Sequence, residues 1–466
     1  MAFKTNLIEL PLLLMFLALE LLGPVGTNLT LYRTCYIILG HNQTECALLG
    51  NTESPALNDL QKKVQPTVNV ISSVSDIVSQ VVGLTICLFA GQWSDRFGRK
   101  PMLLASQIGH FFSMLIMVVL SAIPSINPWY FMLSTVPVML TGGFATFLVT
   151  ILSYFSDIST DETRGMRMAM LEGMLGAGQL FGSLCSSYIY YATNYPSMYG
   201  IAAGIMGLNI IYIYFFLSES LENIEHKKSW KDMLKPSDLK GMFHVLTKPR
   251  EYFKRAIILL MTPIMVLYIF ISQGDGGKTY VFLMGKFNWD LQHYTIFNSV
   301  TIIIFVIGTL GGTYVFKKLK VTESVVVLLG LLCTFSSDLV RGLATKYFHI
   351  YIAAAVRFIS GIVSPQCRTL ISKLVPVNEM AKVFALIMVI EFVISVGAAP
   401  FYTLIYNSTV KTDPGFYNFV SCGLLGIDMI IILVVMLLEY KTALIYAKVD
   451  TKEEHTTPET FSETNN

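Results

Sequence analysis

Residues 91–100 read GQWSDRFGRK, and four of the ten, Asp95, Arg96, Arg99 and Lys100, carry full charge. The flanks are apolar, VVGLTICLFA before and PMLLASQIG after. A dense knot of charge and glycine between two greasy runs reads as a polar turn joining membrane-crossing segments. The rest of the chain repeats that alternation.

Of the 466 residues, 53% are hydrophobic and only 14% charged, with a mean hydropathy of +0.59. A water-soluble protein carries about a quarter charged residues. Twelve apolar runs can be counted, at 8–30, 68–90, 101–123, 129–155, 167–192, 199–217, 256–273, 294–316, 323–344, 348–366, 381–405 and 417–438. Each can span about 30 Å of hydrocarbon at about 1.5 Å per residue. Backbone groups in lipid must be satisfied within their own segment, so the runs are read as helices. The polar interval 218–255 divides them six and six. The expected fold is an all-α membrane protein with twelve transmembrane helices in two six-helix bundles. The bundles span 1–217 and 256–438, joined by a central loop at 218–255 and followed by a disordered tail at 439–466. The first 30 residues lack a basic leader and a small-residue cleavage site, and are read as a retained helix.

With the N-terminus inside, 24 of the 33 lysines and arginines fall on the inner side and seven on the outer. That bias places both termini in the cytoplasm of a multi-pass protein, in the plasma membrane or an endolysosomal membrane. The N-x-T sequon at Asn42 falls in the first outer loop and is the expected glycosylation site. Sequons at Asn28 and Asn407 fall on the same side, Asn28 too near the bilayer for modification. Of seven cysteines, only Cys35 and Cys46 lie in a polar loop; they can bridge or remain two solitary thiols. No metal-type spacing and no Walker A stretch occurs, so neither a metal nor ATP hydrolysis is expected. The scattered basic clusters argue against nucleic acid as a partner, and a monomer or weak oligomer in the lipid bilayer is expected.

The form G-x-x-x-D-R-x-G-R-K resembles the loop 2–3 signature of the major facilitator superfamily, carried here by Gly91, Asp95, Arg96, Gly98, Arg99 and Lys100. Gly91 would let the second helix approach a helix of the other half. Asp95 suits a helix N-terminus or a basic partner, and Gly98 permits a tight reversal. The equivalent loop of the second half, GTYVFKKLK from Gly312, has Phe316 where Asp95 would align, so the first half carries the latch. Further stretches narrow the resemblance. LLGPVGTN closes the first segment, RGMRMAMLEGMLG opens the fifth, and VSPQCRTLISKLVP follows the tenth. Together they resemble the solute carrier 46 family, whose members include proton-coupled folate carriers. The resemblance implies that Glu172, in RMA-x-LE, couples protons and that Arg368, before SKLV, binds proton and substrate. Two departures bear on substrate rather than fold. YIFISQGDGGKT lacks the histidine of the folate carriers, and KFNWD lacks the cysteine of their loop 7–8.

Charges within apolar runs are functional candidates, because each costs about 2.5–3.5 kcal/mol at mid-bilayer. Glu172 heads a polar face with Gly176, Gln179 and Ser183. His110 titrates in the useful range, and Asp76 and Glu20 are further acids. Arg357 and Glu391 join Arg368 as candidate substrate residues, while Asp338 and Arg341, three apart, suit a structural pair. GQLFG and GTLGG suit close helix crossings, and SQGDGGK suits a helix break at a gate. The expected function is proton-coupled symport of an organic anion such as folate by alternating access, with the proton as coupling ion and no cofactor. The alternatives are a carrier of another anion, a peptidoglycan fragment or a drug, or a non-transporting receptor.

Overall fold

The computed structural model describes residues 7–49, 57–158, 164–221 and 248–454. Gly91, Asp95, Arg96 and Glu172 lie on described helical backbone, but their side-chain positions fall outside the described residues. Each expected segment falls on helical chain. The first half comprises α1 (Glu9–Arg33), α2 (Asn58–Phe97), α3 (Arg99–Ala122), α4 (Pro128–Phe155), α5 (Arg164–Ala192) and α6 (Tyr195–Phe215). The second comprises α7 (Lys254–Phe287), α8 (Leu291–Lys318), α9 (Glu323–Gly342), α10 (Phe348–Leu374), α11 (Val377–Thr409) and α12 (Phe416–Glu454). Ten helices among the described residues are long and apolar enough to cross a membrane. The other two, α2 and α5, run for 40 and 29 residues and carry the polar faces that join the halves.

Helices α1–α6 pack on one another, as do α7–α12, and two seams connect the bundles: α2 against α11 and α5 against α8. Both expected small-residue crossings are present. A Cβ on Gly178 or Gly182 of α5 would lie 2.6 or 2.7 Å from the carbonyls of Leu13 and Leu17 in α1. A Cβ on Gly308 of α8 would run into the carbonyl of Phe358 in α10. Only glycine lets these backbones meet.

Three local expectations change. The fourth and tenth segments are broken, not continuous. In α4 a 3₁₀ turn at Pro128–Ser134 leads to a short helix, and the chain restarts at Gly142 and Gly143 with φ of +74° and +56°. In α10 a 3₁₀ stretch covers Arg357–Ile362, where α8 presses closest. Conversely, SQGDGGK does not break its helix. α7 runs unbroken for 34 residues, because Gly274 seats the Tyr402 ring and Asp275 anchors two guanidinium groups. Tertiary packing there outweighs the low helix propensity of glycine. The segment expected to be a disordered tail from 439 is helical as far as Glu454, as its Lys-, Ala-, Leu- and Glu-rich composition allows. The remainder, 455–466, lies outside the described residues.

Candidate transport site

At one end of the bundle, Gly98 (φ +100°) turns the chain from α2 into α3, the tight reversal the sequence predicts. A glycine has no side chain to cap a helix, so the carboxylate at the N-terminus of α3 comes from elsewhere. Glu219, just past α6, accepts the backbone N–H groups of Arg99 at 2.8 Å and Lys100 at 3.1 Å. Negative charge is stabilised at that positive pole. Arg99 donates to Asp157 at 2.9 Å and to the Ser94 hydroxyl at 2.8 Å. Lys100 donates to the carbonyls of Tyr214 and Leu217 at 2.7 and 2.8 Å, tying down the end of α6. The knot is a staple that joins the ends of four helices inside the first half. Its missed member, Glu219, was visible only as the first of several acids after the sixth segment.

The opposite end carries the Cys35–Cys46 disulfide, which settles the open pairing in favour of a bridge. Asn42 is exposed there, its side chain accepting the Thr44 N–H at 3.0 Å. Asn28 is fully buried. At this end the halves are sewn together. Gln65, Asn69 and Ser73 sit at successive turns on one face of α2. Gln65 donates to the Val281 carbonyl and accepts from Tyr406, both at 3.0 Å. Asn69 donates to Asn407 at 3.0 Å, and Ser73 meets Thr403. Asn407 in turn donates to the Pro66 carbonyl, so this sequon lies in the seam. In the second seam Ser183 and Ser187 of α5 bond to Thr295 and Asn298 of α8. The hydrogen bonds between halves among the described residues thus gather at the disulfide-bearing end.

Mid-bundle, the second half holds two ionic groups. Asp275 accepts from Arg341 at 2.6 Å and from Arg357 at 3.0 Å. Asp338 lies 3.8 and 3.7 Å from the same two guanidinium groups and accepts no hydrogen bond among the described residues. Arg341 also donates to Thr279 and Tyr417. Two acids therefore balance two arginines in a buried tetrad, larger than the Asp338–Arg341 pair the sequence predicts. Asp275 was hidden in the glycine-rich stretch read as a break. One layer away, Arg368 grips Glu391 at 3.0 and 3.2 Å. The structure therefore joins two of the three predicted substrate residues, and Arg357 stands apart in the tetrad. The Arg368 side chain keeps 29% exposure, against 7% for Glu391.

In the first half, Asp76 and His110 face one cavity of about 320 Å³, with Gly23, Thr27, Ser75 and Ser113 among its lining. His110 Nδ1 lies 2.8 Å from the Ser106 carbonyl. A carbonyl only accepts, so Nδ1 carries hydrogen and Nε2 is the acceptor of the neutral ring. Glu20 is half-buried on α1 against α5 and makes no ion pair among the described residues. Asp76 and His110 do not converge with Arg368 and Glu391. They occupy the other half.

Two bundles of membrane-crossing helices, joined along a polar seam and holding buried ion pairs between helices, define a carrier, not an enzyme. The chain belongs to the Major Facilitator Superfamily, whose profile matches residues 48–400. Within it, the relatives this chain resembles include solute carrier 46 members. It is 29% identical over 438 residues to the probable peptidoglycan muropeptide transporter SLC46 of Drosophila melanogaster, covering 91% of this chain and 84% of that protein. It is 21% identical over 417 residues to the proton-coupled folate transporter of Bos taurus, covering 89% and 88% respectively. Among solved structures, the human organic anion transporter MFSD10 (TETRAN) superposes with a TM-score of 0.64 at 14% identity, covering 91% of this chain and 98% of that one.

Proposed function

We propose that this carrier couples protons to the import of an organic anion by alternating access, with peptidoglycan fragments favoured over folate. The observation that carries the reading is the seam, closed by hydrogen bonds at one end of a bundle whose buried charges lie deeper. The halves, 1–217 and 256–438, are the rocking bodies, and 218–255 links them. The bias of lysine and arginine makes the disulfide-bearing end the outer one and puts both termini in the cytoplasm. The membrane is the plasma membrane or an endolysosomal one, and Asn42 carries the glycan.

Arg368 is the anion receptor. Its planar fork has five donors, and Glu391 and Ser364 leave part of it uncommitted. Glu391 positions it, and Arg357 contributes through the tetrad. Asp76, His110 and Glu172 handle the proton. The preference for peptidoglycan fragments over folate follows the relatives, 29% against 21% identity, together with the missing histidine and cysteine.

Proteoliposomes with an imposed pH gradient, offered a labelled disaccharide muropeptide or labelled folate, test this. Muropeptide should accumulate only with the acid side outside, and Glu172→Gln should abolish accumulation while sparing exchange. Accumulation of folate alone would reverse the substrate order, and no gradient-driven uptake of either would sink the reading.

A further inference from the structure

The first-half cavity lies apart from the seam contacts, in the space where α1 packs on α5 and α6 but scarcely touches α2. Its α1 wall runs from Leu19 to Thr30, roughly 16 Å at about 1.5 Å per residue. Its volume of about 320 Å³ falls in the range of small-molecule sites. The packing leaves room there, since a Cβ on Gly23, one of the liners, would meet nothing within 4 Å. His110 lines the cavity with only 6% of its surface exposed, and its Nδ1 is committed to the Ser106 carbonyl at 2.8 Å. Its Nε2 is left as an acceptor with no partner among the described residues, on the ring edge turned away from its own helix. An acceptor unmet so deep in a bundle calls for a donor from outside the chain.

The rest of the lining is rich in acceptors and short of donors. The hydroxyls of Thr27, Thr30 and Ser134 give their hydrogens to the carbonyls of Gly23, Gly26 and Phe131, at 3.2, 2.9 and 2.7 Å. Each can then only accept from an occupant. Asp76 adds a carboxylate, exposed at the mouth and without an ion pair or hydrogen bond among the described residues. Lys278, counted with the outer loops in the sequence, is buried within α7, donates across the seam to Asn69 at 3.4 Å and lines no part of the cavity. Among the described residues no lysine or arginine lines it. Met114, Met117, Phe131 and Met132 supply soft apolar surface between the polar groups. Such a lining repels an anion, the ligand of Arg368, and selects a cation with an apolar body.

We propose that this cavity is a binding site for a slender organic amine, with the ammonium on the Asp76 carboxylate and a second donor, a hydroxyl or an amide N–H, on His110 Nε2. Such a ligand carries what the lining lacks. Its cation meets the carboxylate in a charge-assisted bond, its body lies along the methionines and Phe131, and its far donor satisfies the buried ring. The site goes beyond the transport reading and does not depend on it. It lies in one half and the Arg368–Glu391 pair in the other, and opposite charges select opposite ligands.

Equilibrium dialysis of labelled tyramine against the full-length protein in lipid nanodiscs at about pH 7.5 tests this, with empty nanodiscs correcting for uptake by lipid. Tyramine has an ammonium, an aromatic body and a distal hydroxyl, and three competitors each change one feature. Tyrosol, with an alcohol in place of the ammonium, should bind at least about tenfold more weakly than tyramine. Phenethylamine, which lacks the hydroxyl, should bind about fivefold more weakly, and the anion 4-hydroxyphenylacetate should not compete. Asp76→Asn should erase the preference for tyramine over tyrosol, and His110→Phe the preference over phenethylamine. Ser113→Leu, which fills the cavity one turn from His110, should weaken tyramine at least about tenfold. Equal binding of tyramine and tyrosol by wild type overturns the site, as does a tyramine preference that survives Asp76→Asn. Should the His110 variant not fold, unchanged tyramine binding by Ser113→Leu overturns it equally. No gradient or transport enters the measurement, so its failure leaves the proton-coupled reading standing, and failure of that reading leaves the amine site untouched.

Discussion

Replacing Arg341 with methionine removes one of the two cations from the buried tetrad while nearly keeping its volume. The side chain makes one charge-assisted bond to Asp275 and two bonds to neutral hydroxyls, on Thr279 and Tyr417. At about 2 kcal/mol for the first and about 1 for each of the others, the loss is about 4 kcal/mol. A second estimate agrees, since breaking a buried ion pair on one side costs about 3–5 kcal/mol by stranding the partner charge. Asp275 and Asp338 would then share Arg357 alone. In a bundle of roughly 200 residues, about 4 kcal/mol corresponds to a fall in Tm of about 8–16 °C. Thermal unfolding of purified protein, followed by intrinsic fluorescence, measures it. The same balance of charge predicts a rescue. Asp338 accepts no hydrogen bond among the described residues, so Asp338→Asn in the Arg341→Met background removes the surplus negative charge at little cost and should recover about half of the loss. A Tm for Arg341→Met within about 2 °C of wild type would refute the reasoning, as would a double variant less stable than the single one.

Other outcomes are expected elsewhere. Reducing the Cys35–Cys46 bridge, which closes a separation of 11 residues, should lower stability by about 3 kcal/mol on the loop-entropy account, read as a drop in Tm under reductant that Cys35→Ser reproduces without it. Arg99→Lys should lose the simultaneous grip on Asp157 and Ser94 and slow transport nearly as much as Arg99→Ala; normal transport by the lysine variant would show that charge alone suffices. Gly308→Ala should destabilise strongly, because its methyl has no room beside the Phe358 carbonyl, whereas Gly311→Ala, with open space around it, should be nearly neutral in the same melting assay. Hydrogen bonds from Lys248 and then Arg250 hold the half-buried Glu379 carboxylate below its ordinary pKa. A depressed carboxylate contributes stability above its unfolded pKa and loses it as pH falls through the folded value. Amide exchange at 248–254 should therefore be slow at pH 7 and rise in acid below about pH 4.5, with Glu379→Gln fast throughout.

The helices and their division into six and six were legible because bilayer thickness imposes one length on every segment, and that length is written as an unbroken apolar run. Gly98 was legible for a similar reason, since a left-handed turn admits few residues. GQLFG and GTLGG announced close crossings because absent side chains are themselves a signal. Glu219, Asp275 and Lys278 were not legible. Each owes its role to a partner far away in the chain: the first turn of α3, the guanidinium groups of α9 and α10, and the α2 stripe across the seam. The same holds for Arg357 and Arg368, alike as half-buried arginines of α10 and yet delivered to separate acids.

What the linear chain determined by itself was the membrane, the helical segments and the turn at Gly98, since solvent and local sterics act on each stretch independently. Which acid meets which cation, where α4 and α10 bend, and which end of the bundle is shut were decided only by packing, because a buried charge is tolerated solely where the fold carries its partner to it.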